Sequence, residues 1–237
     1  MKILKLYLFV ILSLLFSQQF FGQVMEFSDI DDVFKNELVV ENRALTNRIS
    51  NFPQVAKDIN SKISIEVRQK KYKEALLLAN KLDSILPNNA DVKEFKAKMH
   101  MRLNDYDAAL SLFTEAIKLS PKSKWFYVNK ANLLSEMGRY EEALVVSETL
   151  IKIDNKWSFS YFLKAIILAN QNRDIESINE FEKAIKHEPK SAMIYLRRGD
   201  LYLKLGEKKQ AISNYNESLK IQPNYVLTKE RLKSLKE

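Results

Sequence analysis

A proline recurs at a fixed spacing of 34 residues along this 237-residue chain. It stands at Pro87, Pro121, Pro189 and Pro223, and Asn155 occupies the step between the second and the third. Mostly small residues recur in the same register, twelve and twenty-four positions earlier: Ala75, Ala109, Ala143, Ser177 and Ala211, then Ile63, Ala97, Ala131, Ala165 and Gly199. Such a period is typical of one supersecondary unit copied in tandem, with each copy burying its apolar face against its neighbours.

Each copy contains two runs of about fourteen residues with helical apolar spacing, joined by a short polar turn. Residues 90–103 and 106–119 are one such pair. Small Ala97 and Ala109 would let the two backbones cross closely, and bulky Phe113 would fill the space that they leave. The proline that ends a copy cannot continue a helix, so each copy is predicted to be a closed helix-turn-helix unit.

The columns together resemble the tetratricopeptide repeat, a pair of antiparallel helices. The last copy shows the likeness most fully, in Tyr195, Gly199, Tyr202, Gly206, Ala211, Tyr215 and Pro223. The resemblance implies an all-α fold, a right-handed α-solenoid of five tandem helix-turn-helix repeats with a C-terminal capping helix. The copies would be 56–89, 90–123, 124–157, 158–191 and 192–225, and residues 226–237 would form the cap, apolar inside and charged outside.

Residues 1–22 are typical of a secretory signal peptide, with two lysines at the start and an almost wholly apolar run over residues 6–16. That run is shorter than the roughly 20 residues of a membrane span. Gly22 suits cleavage, but Phe20 fits the small-x-small rule poorly, so an uncleaved membrane anchor is the alternative. We therefore expect export to the periplasm, the cell envelope or the exterior, with membrane contact only through this segment or through envelope partners.

Residues 23–55 are predicted to contain one helix, from about residue 30 to 50. Asp29 or Asp31 would cap its start. Its apolar residues recur at roughly helical spacing, at Ile30, Phe34, Leu38, Leu45 and Ile49. Two roles are open: the helix caps the amino-terminal end of the stack, or it lies in the groove as an occupant that a partner must displace.

The composition offers little from which to build an enzyme. The chain has no cysteine, which rules out a disulfide framework and a cysteine-linked lipid anchor. No glycine outside the signal and the repeat positions is left for a phosphate-binding loop. His100 and His187 form no metal-ligand pair, and no recognised hydrolase motif is present. We expect neither catalysis nor a cofactor or metal.

A cationic residue also recurs every 34 positions, at Lys62, Lys96, Lys130, Lys164 and Arg198. Two interpretations are open. Either the aliphatic stems cover apolar surface, or the column forms a cationic ridge facing anionic envelope polymers or lipid headgroups. Removal of residues 1–22 would leave 36 basic and 30 acidic residues, a net charge of +6. Nucleic acid is not an expected partner, because no recognised nucleic-acid motif appears.

In the family that the chain resembles, the first helices of successive copies line a concave groove that holds a peptide or a partner's helix. Carried over to the first two copies, the groove positions are polar: Lys57, Asn60, Ser64, Asp91, Glu94 and Lys98. In the next three copies they are mainly apolar: Trp125, Val128, Asn132, Phe159, Phe162, Ile166, Met193, Leu196 and Asp200. Aromatic anchors with polar rims are typical of binding hot spots. The alternative is that Val128, Phe162 and Leu196 pack between adjacent copies.

These observations predict an exported, non-enzymatic adaptor or assembly factor that holds an apolar peptide or helix of another protein. A self-associating structural subunit of a cell-envelope complex is one alternative, and a homo-oligomer would then form through the same surface. A regulatory partner of an envelope enzyme is another. Repeat scaffolds perform all three roles with the same columns, so composition does not choose between them.

Overall fold

The 34-residue register determines where the helices begin. The computed structural model describes residues 30–235 and two short strands, Gln19–Phe20 (β1) and Gln23–Val24 (β2), which pair antiparallel with Gln19 opposite Val24. Twelve helices form within the described residues. First helices of copies two to five start at residues 90, 124, 158 and 192, and second helices at 106, 140, 174 and 208. The predicted all-α fold of tandem helix pairs is confirmed.

The helix bounds follow the chain in five pairs, with one helix before them and one after. The leading helix is Asp32–Ser50 (α1). The pairs are Gln54–Arg68 (α2) with Tyr72–Ile85 (α3), Ala90–Arg102 (α4) with Tyr106–Leu119 (α5), Lys124–Glu136 (α6) with Tyr140–Ile153 (α7), Ser158–Asn170 (α8) with Asp174–His187 (α9), and Ala192–Lys204 (α10) with Lys208–Ile221 (α11). The last helix is Val226–Ser234 (α12).

The turn inside each pair contains one residue in the left-handed region, with φ between 58° and 78°. These residues are again 34 apart: Lys70, Asn104, Gly138, Asn172 and Gly206. Glycine and asparagine adopt this conformation at low cost, and it lets a helix end by turning its last amides back onto its own carbonyls. Asp105 N, for example, donates to His100 O at 2.9 Å. The polar turn of the repeat is therefore a helix stop.

The small columns mark where paired helices cross most closely. All four alanines of the column at residues 75, 109, 143 and 211 are fully buried, and so is Ser177 in the same column. The Ser177 hydroxyl donates to the carbonyl of Ala165 at 2.7 Å, across the α8–α9 crossing. A Cβ on Gly199 would lie 2.6 Å from Cε1 of Tyr215, on the facing helix. A larger residue at these positions would force the helices apart.

The proline column also provides a carbonyl that a tyrosine of the next copy uses. Tyr127 donates its hydroxyl to Pro121 O at 3.0 Å, and Tyr161 donates to Asn155 O at 3.0 Å. Asn155 therefore takes the same place as the prolines of the other copies. The tyrosines themselves are 34 residues apart.

Three of the five recurrent cations, Lys96, Lys164 and Arg198, are bonded to neighbouring helices. Lys96 donates to Asp83 of the preceding copy at 2.7 Å, and Lys164 donates to Glu148 of the preceding copy at 3.1 Å. Arg198 Nε donates to Asn214 Oδ1 of its own copy at 2.7 Å. The sequence analysis offered two roles for these cations, covering apolar surface or forming a cationic ridge. Neither role predicted these hydrogen bonds, which connect first helices to second helices.

The described chain divides into two compact units, and the division falls within α1, between Glu37 and Leu38. The first unit contains residues 38–138. Its core includes Phe113, which is fully buried and clusters with Ala97 and Ala109. The aromatic ring fills the space between α4 and α5 as the sequence predicts.

The second unit contains residues 30–37 and 139–235. In it α8 packs against α9, α10 packs against α11, and α12 packs against α11. The contact of α12 includes a buried hydrogen bond of 2.8 Å between the hydroxyls of Ser218 and Thr228. The amino-terminal part of α1 belongs to this unit, far along the chain from the copies that it contacts.

No helix within residues 30–235 is both long and apolar enough to cross a membrane. The signal-peptide interpretation of residues 1–22 falls outside the described residues, except for the strand Gln19–Phe20. Export therefore stays a prediction from the sequence.

Replacing Phe113 with alanine should lower the free energy of unfolding by about 3–5 kcal/mol, because it removes a buried aromatic ring and leaves a cavity. Urea denaturation followed by circular dichroism measures the change. Leu77→Ala is the matched control in the same unit: Leu77 is 65% exposed, and its loss should change stability by less than about 0.5 kcal/mol. Equal effects of the two substitutions would contradict the burial of Phe113.

Candidate helix-binding site

The amino-terminal anchor, which we define as residues 30–37, lies against the first helices of copies four and five. Its central side chain is Phe34, which is 1% exposed. The Phe34 ring meets Phe159 edge-on, with ring centroids 4.8 Å apart, and lies 5.6 Å from the ring of Phe162. The three rings form one aromatic cluster between α1 and α8, a geometry that stabilises beyond the burial of area alone.

Asp31 connects the amino-termini of two helices. Its Oδ1 accepts from the amide of Phe34 at 3.0 Å and caps α1, as the sequence predicts for Asp29 or Asp31. Its Oδ2 accepts from the amide of Met193 at 2.9 Å and from the hydroxyl of Ser191 at 2.5 Å, both at the start of α10. One carboxylate therefore satisfies free amides of α1 and of α10, at the positive ends of both helix dipoles.

Burial raises the pKa of the Asp31 carboxyl above its usual range. The Ser191 hydroxyl and the amides of Met193 and Phe34 act in the opposite direction, because hydrogen bonds to a carboxylate favour its ionised form. The effect of burial on this pKa is larger than that of the three hydrogen bonds. The carboxylate fixes the position of the anchor through its hydrogen bonds to the starts of both helices.

Trp157, the residue before α8, contacts the last residue of the anchor, Glu37. Its indole Nε1 donates to Glu37 Oε2 at 2.5 Å, and its ring stacks on Phe159 with centroids 5.2 Å apart. The amide of Asp32 also donates to Gln222 Oε1 at 3.3 Å. Apolar and polar contacts therefore alternate along the anchor.

Of the groove positions predicted for copies four and five, Phe159, Phe162 and Met193 contact the anchor directly. Phe162 also packs on Phe181 of α9, with centroids 5.9 Å apart, so it serves the core and the groove together. Ile166 and Leu196 are buried on the same two helices.

The remaining predicted position, Asp200, is bound within its own end of the chain. It accepts from the hydroxyl of Tyr215 at 2.9 Å, from Arg231 Nε at 3.0 Å and from Arg197 Nη1 at 3.2 Å. Burial and the Asp200 carboxylate both raise the pKa of Tyr215. This network joins α10 to α11 and α12, the helix predicted to be the cap.

The predicted positions on α6 lie in the first unit. Trp125 is half-buried, and Val128 and Asn132 are buried. Their neighbour Asn129 donates to Glu94 Oε1 of α4 at 2.7 Å. The α6 positions are therefore largely covered.

The polar positions of α4 bond to one another and to α1. Glu94 pairs with Lys98 at 2.7 Å. Arg48 of α1 holds Asp91 through two hydrogen bonds of 2.8 and 2.9 Å and reaches Glu41 at 2.9 Å. Burial raises the pKa of Glu94, Lys98 lowers it, and Asp91 and Glu41 raise it by smaller amounts.

Sequence reasoning missed Glu37, Trp157 and Ser191. The last two occupy one column, since both stand immediately before a first helix and are 34 residues apart. The residues that precede the first helices could have been predicted as contact positions, because a residue at a helix amino-terminus faces any group that binds there. Glu37 gave no comparable signal, since it is one of several charged residues on α1.

The site holds an apolar side chain and a carboxylate from the start of α1. Aromatic faces on α8 receive the first, and amides at the start of α10 receive the second. Among residues 30–235, no group of three or more His, Cys, Asp or Glu side chains is placed to hold a metal ion.

Two sequence models described as tetratricopeptide repeat match residues 100–166 and 192–225. The chain belongs to the tetratricopeptide-repeat family. The matches cover parts of copies two and four and the whole of copies three and five, and the remaining pairs follow the same register. No curated protein matches this tetratricopeptide-repeat chain.

Solved structures share the fold. MamA from Desulfovibrio magneticus RS-1, residues 41 to the end, has a TM-score of 0.60 at 18% identity and covers 73% of this chain and 98% of its own. TTC0263, a thermophilic TPR protein of Thermus thermophilus, has a TM-score of 0.59 at 16% identity and covers 76% and 97%. YrrB, described as a TPR protein with an unusual peptide-binding site, has a TM-score of 0.53 at 16% identity and covers 74% and 90%. At these identities the likeness supports the α-solenoid fold alone.

Asp31→Ala should weaken docking of the anchor by about 1–3 kcal/mol, because it leaves buried amides of Met193 and Phe34 without an acceptor. Hydrogen exchange of these two amides in the full chain measures the effect as faster local opening. Asp32→Ala is the matched control, since the neighbouring Asp32 side chain is 76% exposed. An equal change in both variants would show that Asp31 acts only through its charge near the helix start.

Proposed function

We propose that this tetratricopeptide-repeat protein is an exported, non-enzymatic adaptor or assembly factor that holds an amphipathic helix of another protein. The binding surface lies on the first helices of copies four and five, α8 and α10. The observation that carries the proposal is the anchor itself, which is a helix start already seated there through Phe34 and Asp31. A surface that accepts this segment has the chemistry to accept another of the same kind.

The mode is that of a helix in a groove, in which apolar anchors three or four residues apart provide the affinity. Phe34 is such an anchor, and Asp31 sets its register by capping two helices. The peptide-binding site named for YrrB supports peptide recognition as a use of this fold.

The anchor competes with any partner for the same surface, because it is part of the same chain. A partner's apparent affinity is therefore reduced by the fraction of molecules in which the anchor is docked. The anchor thus keeps aromatic side chains of α8 out of water until a partner helix replaces it. This assigns residues 30–37 the role of a displaceable occupant.

The signal-like residues 1–22 support action outside the cytoplasm, in the periplasm or cell envelope. The partner is then an exported protein or the exposed part of an envelope protein. If the segment is not cleaved, it holds the chain at the membrane, and the groove recruits partners to that surface.

Phe34→Asp in the full chain should increase capture of the partner several-fold, because a buried carboxylate cannot remain in the aromatic cluster and the anchor undocks. Affinity capture from a crosslinked envelope extract, with quantitative mass spectrometry, provides the measurement. The same substitution combined with Phe159→Asp should abolish that capture, since Phe159 belongs to the surface that the partner uses.

Val40→Asp is the matched control, because Val40 is on the same helix and is 66% exposed. It should capture as much as the unaltered chain. Circular dichroism checks that all variants retain their helices. Equal capture by all four proteins would refute the groove as the binding surface, and capture of this chain alone would favour a self-associating subunit.

A further inference from the structure

We propose that the partner helix carries a carboxylate that pairs with Arg197 of α10, at the position where the resident anchor has Lys35. The inference rests on the proposed function and names the chemistry of the helix that α8 and α10 bind. Such a helix has an acidic cap equivalent to Asp31, an aromatic residue equivalent to Phe34, and an acidic residue directly after it. All of these contacts lie within the second unit.

Arg197 is among the most deeply buried side chains of the second unit, with 1% of its surface exposed. A guanidinium group has five N–H donors and is costly to remove from water unless these donors are bonded. Its Nη1 donates to Asp200 Oδ2 at 3.2 Å. Its Nε is buried and has no hydrogen-bond partner among the described residues. The second unit therefore contains a buried cation that lacks an acceptor.

The Asp200 carboxylate is shared by three donors. Its Oδ1 accepts from the Tyr215 hydroxyl at 2.9 Å and from Arg231 Nε at 3.0 Å, while its Oδ2 accepts from Arg197. The bond to Arg197 is the longest of the three. A second carboxylate could bond to Arg197 Nε, and pairs of this kind are among the stronger hydrogen bonds in proteins.

The repeat register explains why Arg197 lacks an acceptor. The residues at the equivalent position, 34 later and 68 earlier, each bond to the helix one copy before their own: Arg231 to Asp200, and Asn129 to Glu94. In α8, the residues at the positions of these two acceptors are Ile166 and Phe162. Neither apolar side chain can accept a hydrogen bond, so α8 does not provide the partner that its register would otherwise supply.

Position 35 of the anchor lies on the side of the helix that contacts α10. Asp31 accepts from the amide of Met193 on α10 at 2.9 Å. One turn further along the two helices come Lys35 and Arg197, each on the same face as the contact residue before it. The Lys35 side chain is 26% exposed, so it lies at the edge of the contact. A carboxylate at this position therefore extends along α10 toward Arg197.

The resident anchor brings a cation to this position instead of an anion. A second copy of this chain would bring the same Lys35 and would gain nothing over the resident segment. A helix with glutamate at that position keeps the contacts of Asp31 and Phe34 and adds a pair with Arg197. Charge complementarity therefore favours a different protein, with an acidic residue directly after its aromatic anchor.

The test uses four fluorescently labelled peptides, titrated with the full-length Phe34→Asp chain, in which the resident anchor is released, and followed by anisotropy. Each peptide contains residues 29–37 and an alanine-rich helical tail, so that only contacts of the anchor are reproduced. The peptides carry the natural sequence, Lys35→Glu, Lys35→Gln or Asn36→Glu. Lys35→Gln removes the lysine without adding a carboxylate, and Asn36→Glu adds a carboxylate on the exposed side. All four are also titrated with a second chain that carries Arg197→Met as well.

The Lys35→Glu peptide should bind about 10- to 100-fold more tightly than Lys35→Gln, the range expected for a hydrogen bond to a charged group. Asn36→Glu should bind like the natural peptide. In the chain with Arg197→Met the advantage of Lys35→Glu should disappear while the natural peptide still binds, because methionine keeps an unbranched stem without the charge. Circular dichroism checks that both chains retain their helices.

The outcomes separate this inference from the function on which it rests. If Lys35→Glu binds no better than Lys35→Gln or the natural peptide, or keeps its advantage with Arg197→Met, Arg197 does not bind the carboxylate and the inference is overturned. Loss of the natural peptide with Arg197→Met would overturn it too, since Arg197 would then only hold α10 in place. If no peptide binds the Phe34→Asp chain, the groove does not bind helices, and the proposed function falls with it.

Discussion

Each helix pair is held together by a close crossing at small side chains, and the other features of the chain depend on that contact. Ala109 and its equivalents bring two backbones near enough that a serine at the same position reaches the carbonyl of the facing helix, as Ser177 does to Ala165. At Gly199 even a methyl group would meet Tyr215. Within the second unit, copies four and five each present the start of a first helix, with its amides and capping residue at the same position of the repeat.

That regular presentation explains how one short segment can be recognised by two copies at once. Phe34 uses the face of α8, while Asp31 uses the start of α10, the next first helix along the chain. Neither helix alone offers both an aromatic cluster and free amides at the required separation. Docking of the anchor thus depends on two neighbouring copies, α8 of one and α10 of the next.

The sequence predicts the features that recur at a fixed spacing. It does not predict contacts between residues that lie far apart along the chain. The spacing of Pro87 and its equivalents predicted the helix pairs, and helical spacing predicted α1 with Asp31 as a cap. The second role of Asp31 depends on Ser191 and Met193, about 160 residues later, and no local pattern encodes it. The groove positions were proposed from the family pattern, which does not distinguish an open aromatic surface from one covered by the chain's own helix.

The most direct test of this account is a disulfide between the anchor and α10. The chain has no cysteine, so Asp31→Cys with Ser191→Cys introduces a single pair, whose natural side chains approach to 2.5 Å. Under mild oxidation the account predicts a disulfide within one molecule, and no bond for the control pair Asn36→Cys with Ser191→Cys, since Asn36 is exposed. Free thiols in both pairs, or only disulfide-linked dimers, would contradict the claim that each chain occupies its own groove.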